Sequence, residues 1–218
     1  LGTIKLVVSF WFENSKNRLI VMSEDVLDLV EGRRGHFQLE SGHHGDLWLQ
    51  LEPLCLRPRE IQPFVVRLAE ALRKYDVQVV CGPLVEGAYV ALLVSLELGC
   101  DFVYAERFAN PSREGLFPVE YHLPKALHGA IRGKRVAIVN DVISAGSAVR
   151  RTFFDLRSLG TEAVAIGALL GLGDSIAKFA AEHHVALELL QQMPHNLWTP
   201  EHCPLCAAGE PIEIASTS

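Results

Sequence analysis

The stretch NDVISAGSA, residues 140–148, places side chains able to do chemistry within one short turn: an amide at Asn140, a carboxylate at Asp141, hydroxyls at Ser144 and Ser147, and a glycine between them at Gly146. An apolar strand pattern, RVAIV, leads into it, and helical spacing resumes from Ala148 to about Leu159. Ligands of open α/β sheets bind beyond the carboxyl ends of the strands, where this turn falls. Gly146 lets the backbone turn tightly, so that successive N–H groups from Ser144 to Ala148 converge on one point and the following helix adds the positive end of its dipole. Such a nest binds an anion, and Asn140 and Asp141 before it can accept hydrogen bonds from vicinal sugar hydroxyls. Phosphate plus ribose satisfies both halves. The competing reading is an acidic strand end followed by a capped helix, which needs no ligand.

The elements that must position this turn follow from periodicity. Residues 59–75 carry Ile61, Phe64, Val65, Leu68, Ala69 and Leu72 at helical spacing, ahead of a short apolar run over 77–81. GPLVEGA opens a second helix ending near Gly99, and DFVYAE follows as a strand. The alternation returns with strands over 135–139, 163–169 and 185–190 and with helices over 148–159 and 175–183. Helices alternating with buried strands predict an α/β fold, a central mainly parallel sheet flanked by helices. Ahead of it, Ser23 can cap a helix through Val26, Leu27 and Val30 to about Gly32, and HFQLESGHHGDLWLQLEPL alternates about a Gly-rich turn as a hairpin does. Between about 107 and 134, Asn110, Pro111, Gly115, Pro118, Pro124 and Gly129 break the pattern, which predicts a long binding loop or lid with one strand-like piece, FPVEYHL. The segments are an N-terminal extension (1–22), a helix and hairpin (23–56), the core (57–194) and a tail (195–218).

Composition narrows the function classes. Of 218 residues 49% are hydrophobic and 21% charged, and the formal charge is −6, so the overall field does not favour nucleic acid or anionic lipid. The apolar opening LGTIKLVVSFWF is too short to span a bilayer and reads as a strand or flap. Five cysteines are an odd count, and Cys55, Cys81 and Cys100 lie in or beside apolar runs. Buried free thiols and a reducing cytoplasm are expected.

A hydrophobic strand, two polar acceptors, two further residues and SAGSA resemble the phosphoribosyl-pyrophosphate (PRPP) site of type I phosphoribosyltransferases. The resemblance extends from about residue 31 to 213 and is greatest to orotate phosphoribosyltransferases. GHFQLESGHHGDLWLQ is similar to their base-binding hood hairpin, VVCGPLVEGAYVA to their pyrophosphate loop, FVYAER to the strand before their flexible loop, and CPLCAAGEPIE to the ending of one bacterial and archaeal branch. The resemblance implies a homodimer that uses PRPP, a nucleobase (orotate above all) and Mg²⁺, and releases pyrophosphate. It implies that Asn140 and Asp141 hold the ribose, that Ser144, Ala145, Gly146, Ser147 and Ala148 hold the 5′-phosphate, and that Gly82, Pro83, Glu86 and Gly87 face the pyrophosphate. Ser41, Gly42 and His43 fall in the base-binding hairpin, and Arg107, Arg113, His122 and Lys125 are the nearest candidates for the lid cations, with Arg107 as the catalytic one.

The sequence departs from that family at several of these positions. Asn140 replaces the first acidic residue, Glu86 stands where members have Gly or Lys, and Glu40 precedes the hairpin turn where some place Lys. After the strand AVAIGALL the family carries an Asp-Arg whose Arg grips the orotate carboxylate, whereas this chain has GLGDS. Neither Gly173 nor Asp174 can make that bidentate grip. A base without a carboxylate, or a PRPP-binding regulator without catalysis, are therefore the alternatives. Trp48 and Phe37 can stack on a base or fill a core, and His43 and His44 can touch ligand or water. Cys203 and Cys206, with His202 and His195 near them, form at most one half of a zinc site; a packed tail is the other reading.

Overall fold

A computed structural model describes residues 25–109 and 115–214. The expected extension over 1–22, the Ser23 cap and Arg113 lie outside the described residues.

Alternating apolar residues on either side of residues 39–43 form the antiparallel hairpin of β1 (Glu31–Gln38) and β2 (His44–Gln50). The helix expected before it is a single 3₁₀ turn, Val26–Leu29, capped by the Asp25 carboxylate, which accepts from the Leu27 N–H at 2.8 Å. Gly32 already pairs with Leu49 across the hairpin, and one turn of helix cannot repay its nucleation against a ladder that continues.

The core then alternates as predicted: α1 (Pro58–Leu72), β3 (Val79–Pro83), α2 (Glu86–Leu98), β4 (Asp101–Ala109), β5 (Val119–His122), α3 (His128–Ile131), β6 (Arg135–Ile143), α4 (Ser147–Ser158), β7 (Glu162–Leu172), α5 (Ser175–Glu182) and β8 (Ala186–Met193). Its six strands lie in the order β5-β4-β3-β6-β7-β8, all neighbours parallel except β4 and β5. Both faces are covered. Phe64, Leu68 and Leu72 of α1 and Val90 and Val94 of α2 pack with Val80, Val139 and Leu169 on one side. Val149, Phe153 and Leu156 of α4 and Ile176 and Phe179 of α5 pack with Cys81, Ile138 and Ile166 on the other. Each such side chain contributes about 2 kcal/mol by leaving water, so the layered packing holds the strand ends in place.

Much of the stretch expected as a lid is built. β4 runs on to Ala109, β5 returns beside it with Arg107 opposite Tyr121, and Val119, Tyr121, Leu123 and Ile131 are buried. Prolines and glycines hide this arm from a periodicity reading, because only alternate residues of its short strand face the core. The tail also joins the fold. β9 (Leu197–Trp198) adds antiparallel to β2, a one-turn α6 (Pro204–Ala207) follows, and β10 (Glu213–Ile214) adds parallel to β1, giving a second sheet in the order β10-β1-β2-β9.

Candidate active site

β6 ends inside a cavity of about 490 Å³ lined by the hairpin turn, the β3–α2 turn, the β4–β5 arm and residues 140–149. Two helices begin at this cavity, and neither has a side-chain cap. α2 starts after Val85 and α4 after Gly146, whose φ of 80° turns the chain into the helix. Their first N–H groups therefore remain available to anions from two directions. Close approach of α2 to β6 depends on small residues. A methyl group on Gly87 would collide with Asn140 Oδ1, and one on Gly82 would meet the backbone of α2.

The two residues expected to hold a sugar behave differently. The Asn140 amide donates to the Val142 carbonyl at 2.8 Å, which fixes its orientation. Asp141 is buried, and its Oδ2 makes no hydrogen bond. Its pKa is pushed up to about 7, by burial above all, with a hydrogen bond from the Val142 backbone opposing the shift and the charge of Glu86 adding to it. The Ser144 hydroxyl is also buried without a partner. A buried orphan acceptor and a buried orphan donor at the two ends of one turn are costly unless a ligand supplies their complements.

Glu40 sits across the anion nest. Its carboxylate accepts from Ser147 Oγ at 3.1 Å and from Arg107 Nε at 2.9 Å, with the Tyr121 hydroxyl at 3.4 Å. Burial, then the Glu40 charge, push the Tyr121 phenol up, so it stays protonated and able to donate. An internal carboxylate thus occupies one of the nest's hydroxyl donors. Glu40→Gln removes that competing charge, and PRPP is expected to bind about tenfold tighter, which is ~1.4 kcal/mol of relieved repulsion. Calorimetric titration of the variant checks this; unchanged or weaker binding would mean that Glu40 positions Arg107 rather than competing with the ligand.

Of the residues singled out in the sequence, Asn140, Asp141, Ser144, Ala145, Gly146, Ser147, Ala148, Pro83, Glu86, Gly87, Ser41 and Arg107 line the cavity. Gly42 closes the hairpin turn, its N–H donating to the Leu39 carbonyl at 2.8 Å, and Gly82 lies under the α2 turn. Half-buried His43 contacts Ser41 Oγ at 3.1 Å and packs on Phe117. The remaining lid candidates point elsewhere: His122 pairs with Asp155 at 2.7 Å, and Lys125 is exposed outside the cavity. Trp48 lines the cavity, whereas Phe37 is core. His44 turns away from the cavity toward Cys206. His195 and His202 do not join the cysteines; they contact Asp46 and Thr199.

Arg150, in the first turn of α4, escaped the sequence reading. Its Nε and Nη2 donate to the Ala145 carbonyl and to Ser175 at 2.9–3.0 Å, and its guanidinium lies 4.5 Å over the Phe179 ring. It forms no ion pair among the described residues. Its guanidinium also lies 5.5 Å from the Phe117 ring, on which His43 of the hairpin turn packs, and His43 is held below the usual imidazole range by burial first and by the Arg150 charge second. A helical arginine four residues after the turn glycine is the signal that was available.

The chain is 31% identical over 195 residues to the orotate phosphoribosyltransferase of Caldanaerobacter subterraneus subsp. tengcongensis, covering 87% of this chain and 94% of that protein. It belongs to the orotate phosphoribosyltransferase family. The enzyme of the same name from Thermotoga maritima is 30% identical over 181 residues, covering 82% of this chain and 88% of that protein. No family model matches the chain. The fold is that of type I phosphoribosyltransferases: orotate phosphoribosyltransferase from Aeropyrum pernix superposes with a TM-score of 0.55 at 23% identity over 74% of this chain and 87% of that one. Adenine phosphoribosyltransferase from Thermoanaerobacter pseudethanolicus does so with 0.58 at 18% identity over 77% and 98%. The family is thus one of glycosyltransferase-type enzymes, and the base is the property that such neighbours do not share.

Proposed function

We propose that this protein transfers the phosphoribosyl group of PRPP to orotate, giving orotidine 5′-monophosphate and pyrophosphate. The observation that carries the reading is the pair of buried, unpartnered atoms, Asp141 Oδ2 and Ser144 Oγ, in one cavity: one accepts what a ribose hydroxyl donates, the other donates what a phosphate accepts. The uncapped start of α4 suits the 5′-phosphate and that of α2 the pyrophosphate. A ring nitrogen of the base forms the bond to the anomeric carbon as the bond to pyrophosphate breaks, and pyrophosphate leaves with the electron pair. Asp141 and Asn140 orient the ribose while positive charge develops on it, and Arg107 is the cation that faces the departing oxygens. Asp141 and Glu86 are hard oxygen donors without an ion pair among the described residues, which fits Mg²⁺. Mg²⁺, arriving with PRPP, would supply charge neutralisation at the pyrophosphate.

Arg150 supports orotate as the base. It does not itself line the cavity, but its guanidinium lies 5.5 Å from the Phe117 ring on which His43 of the hairpin turn also packs, and its Nη1 makes no hydrogen bond to the described residues, so that edge has capacity for a carboxylate. The missing Arg after β7 favours the second reading, a base without a carboxylate. The free thiols Cys55, Cys81 and Cys100 support a reducing cytoplasm. No helix among the described residues is long and apolar enough to cross a membrane. Tyr89, Leu92 and Leu96 expose one apolar stripe of α2, a face on which a second copy would pack.

The test combines calorimetric titration of PRPP with Mg²⁺ and the ultraviolet absorbance of added orotate. Turnover by the wild type is expected, with the orotate KM of Arg150→Met raised about 10- to 100-fold by loss of a charge-assisted pair and its PRPP affinity lowered much less, through the lost hydrogen bond to the Ala145 carbonyl of the nest. PRPP binding with orotate untouched would transfer support to another base or to a regulator. Absence of PRPP binding would remove the reading of the nest itself.

A further inference from the structure

Outside the cavity, four metal-ligating side chains from three separated segments converge. His36 of β1, His44 of β2, and Cys203 and Cys206 of the tail offer one ligand atom each, all within 4.8 Å of one another. We propose that these residues form a structural Zn²⁺ site that clamps the C-terminal tail onto the hairpin bearing the base-binding turn. The Cys2His2 set, with its Cys-x₂-Cys spacing, is that of closed tetrahedral zinc centres.

The distances agree with a shared central ion. Tetrahedral zinc with ordinary bond lengths holds N···N near ~3.4 Å, N···S near ~3.5 Å and S···S near ~3.8 Å. Here His36 Nε2 lies 3.2 Å from His44 Nδ1, 3.4 Å from Cys203 Sγ and 3.6 Å from Cys206 Sγ, and Cys206 Sγ lies 3.2 Å from His44 Nδ1. The tautomer agrees too. His36 Nδ1 is 2.9 Å from the Glu210 carbonyl, which can only accept, so Nδ1 carries the proton and Nε2 turns a lone pair toward the cluster. Backbone carbonyls orient zinc-binding histidines in this way. Without an ion, that buried lone pair has only weak S–H donors and a second imidazole for company.

Burial leads to the same conclusion. Between residues 196 and 214 only Cys203 is buried, so little apolar surface holds the tail, and β9 and β10 are two residues each. An ion bonded to the tail and to both hairpin strands would supply the attachment. His44 immediately follows His43, and the turn between β1 and β2 carries Glu40 and Ser41 into the cavity. The metal would thus fix the base-facing turn from behind. This last consequence rests on the proposed reaction, whereas the site itself does not.

The experiment therefore reads metal rather than turnover. Protein purified without chelators or added metal is analysed by plasma mass spectrometry and by native mass spectrometry. One zinc per chain, surviving dialysis, is expected. Replacement by Co²⁺ should give the visible bands of tetrahedral cobalt and a thiolate charge-transfer band. Cys203→Ser or Cys206→Ser should lower zinc affinity at least about tenfold and expose the tail to protease, whereas Cys100→Ser should leave both unchanged. A wild-type chain that takes up no zinc from micromolar solution, an octahedral cobalt spectrum, or a Cys203–Cys206 disulfide in freshly reduced and purified protein would overturn the site. If zinc is bound but its loss leaves the orotate KM unchanged, the site stands and its link to the base fails.

Discussion

Asp141→Asn is expected to abolish most activity while making the protein without ligand more stable. Asp141 is buried with one oxygen unpartnered and a pKa of about 7, so the folded chain holds a proton that the unfolded chain releases. Its carboxyl is raised, so the folded state binds more protons between about pH 4 and pH 7, and stability from this group falls as pH rises across that window. Above pH 7 the protein carries a buried charge that backbone hydrogen bonds compensate only in part. Asparagine removes it without changing shape. A rise in Tm of about 5 °C at pH 8 is expected, shrinking toward zero at pH 5, where the wild-type carboxyl is already protonated. Function moves the other way. Two hydrogen bonds from ribose hydroxyls to a carboxylate are worth about 1.5–3 kcal/mol each, so their weakening should lower kcat/KM at least about 10²-fold. Wild-type PRPP binding should tighten as pH rises through 7, and that dependence should vanish in the variant. A variant destabilised at pH 8 would show that Asp141 makes a native contact that outweighs its burial.

Gly82→Ala should produce the second large effect, on the position of the pyrophosphate turn. Its new methyl would lie 2.6 Å from Ala88 Cα, 2.6 Å from Ala91 Cβ and 2.8 Å from the Gly87 carbonyl oxygen. Two of these are backbone atoms of α2, so no rotamer change relieves the contact; the helix must move off β3. Overpacking of this kind costs about 3 kcal/mol, or roughly 8 °C in Tm for a chain of this length. Because the α2 N-terminus moves with it, PRPP affinity should fall further than stability alone requires. Thermal unfolding with and without saturating PRPP separates the two: a ligand-induced shift as large as in the wild type would show that the turn tolerates the displacement.

How much of this was legible beforehand depends on the range of the interaction concerned. The α1–β3–α2–β4 and β6–α4–β7–α5–β8 alternation was readable because helix and strand periods are properties of a few consecutive residues. The nest over 144–148 was readable for the same reason: a strand end, Gly146 and a helix start are neighbours in the chain. The β4–β5 arm was not, since its short strand buries only Val119 and Tyr121, too few to make a period. Arg150 looked like any helical arginine until Phe179, Phe117 and Ser175 surrounded it. Cys203 and Cys206 suggested half of a metal site, and the natural partners in sequence, His195 and His202, are turned elsewhere by Asp46 and Thr199.

By itself, then, the order of residues determined the layered α/β core and the phosphate-and-ribose turn, because each is encoded by local pattern and local backbone geometry. Only the tertiary structure decided that Glu40 reaches Ser147, that Asp141 is left without a partner, and that His36 and His44 meet two cysteines more than 150 positions away. Those are distances between segments that approach one another only when the sheets form, and no spacing along the chain measures them.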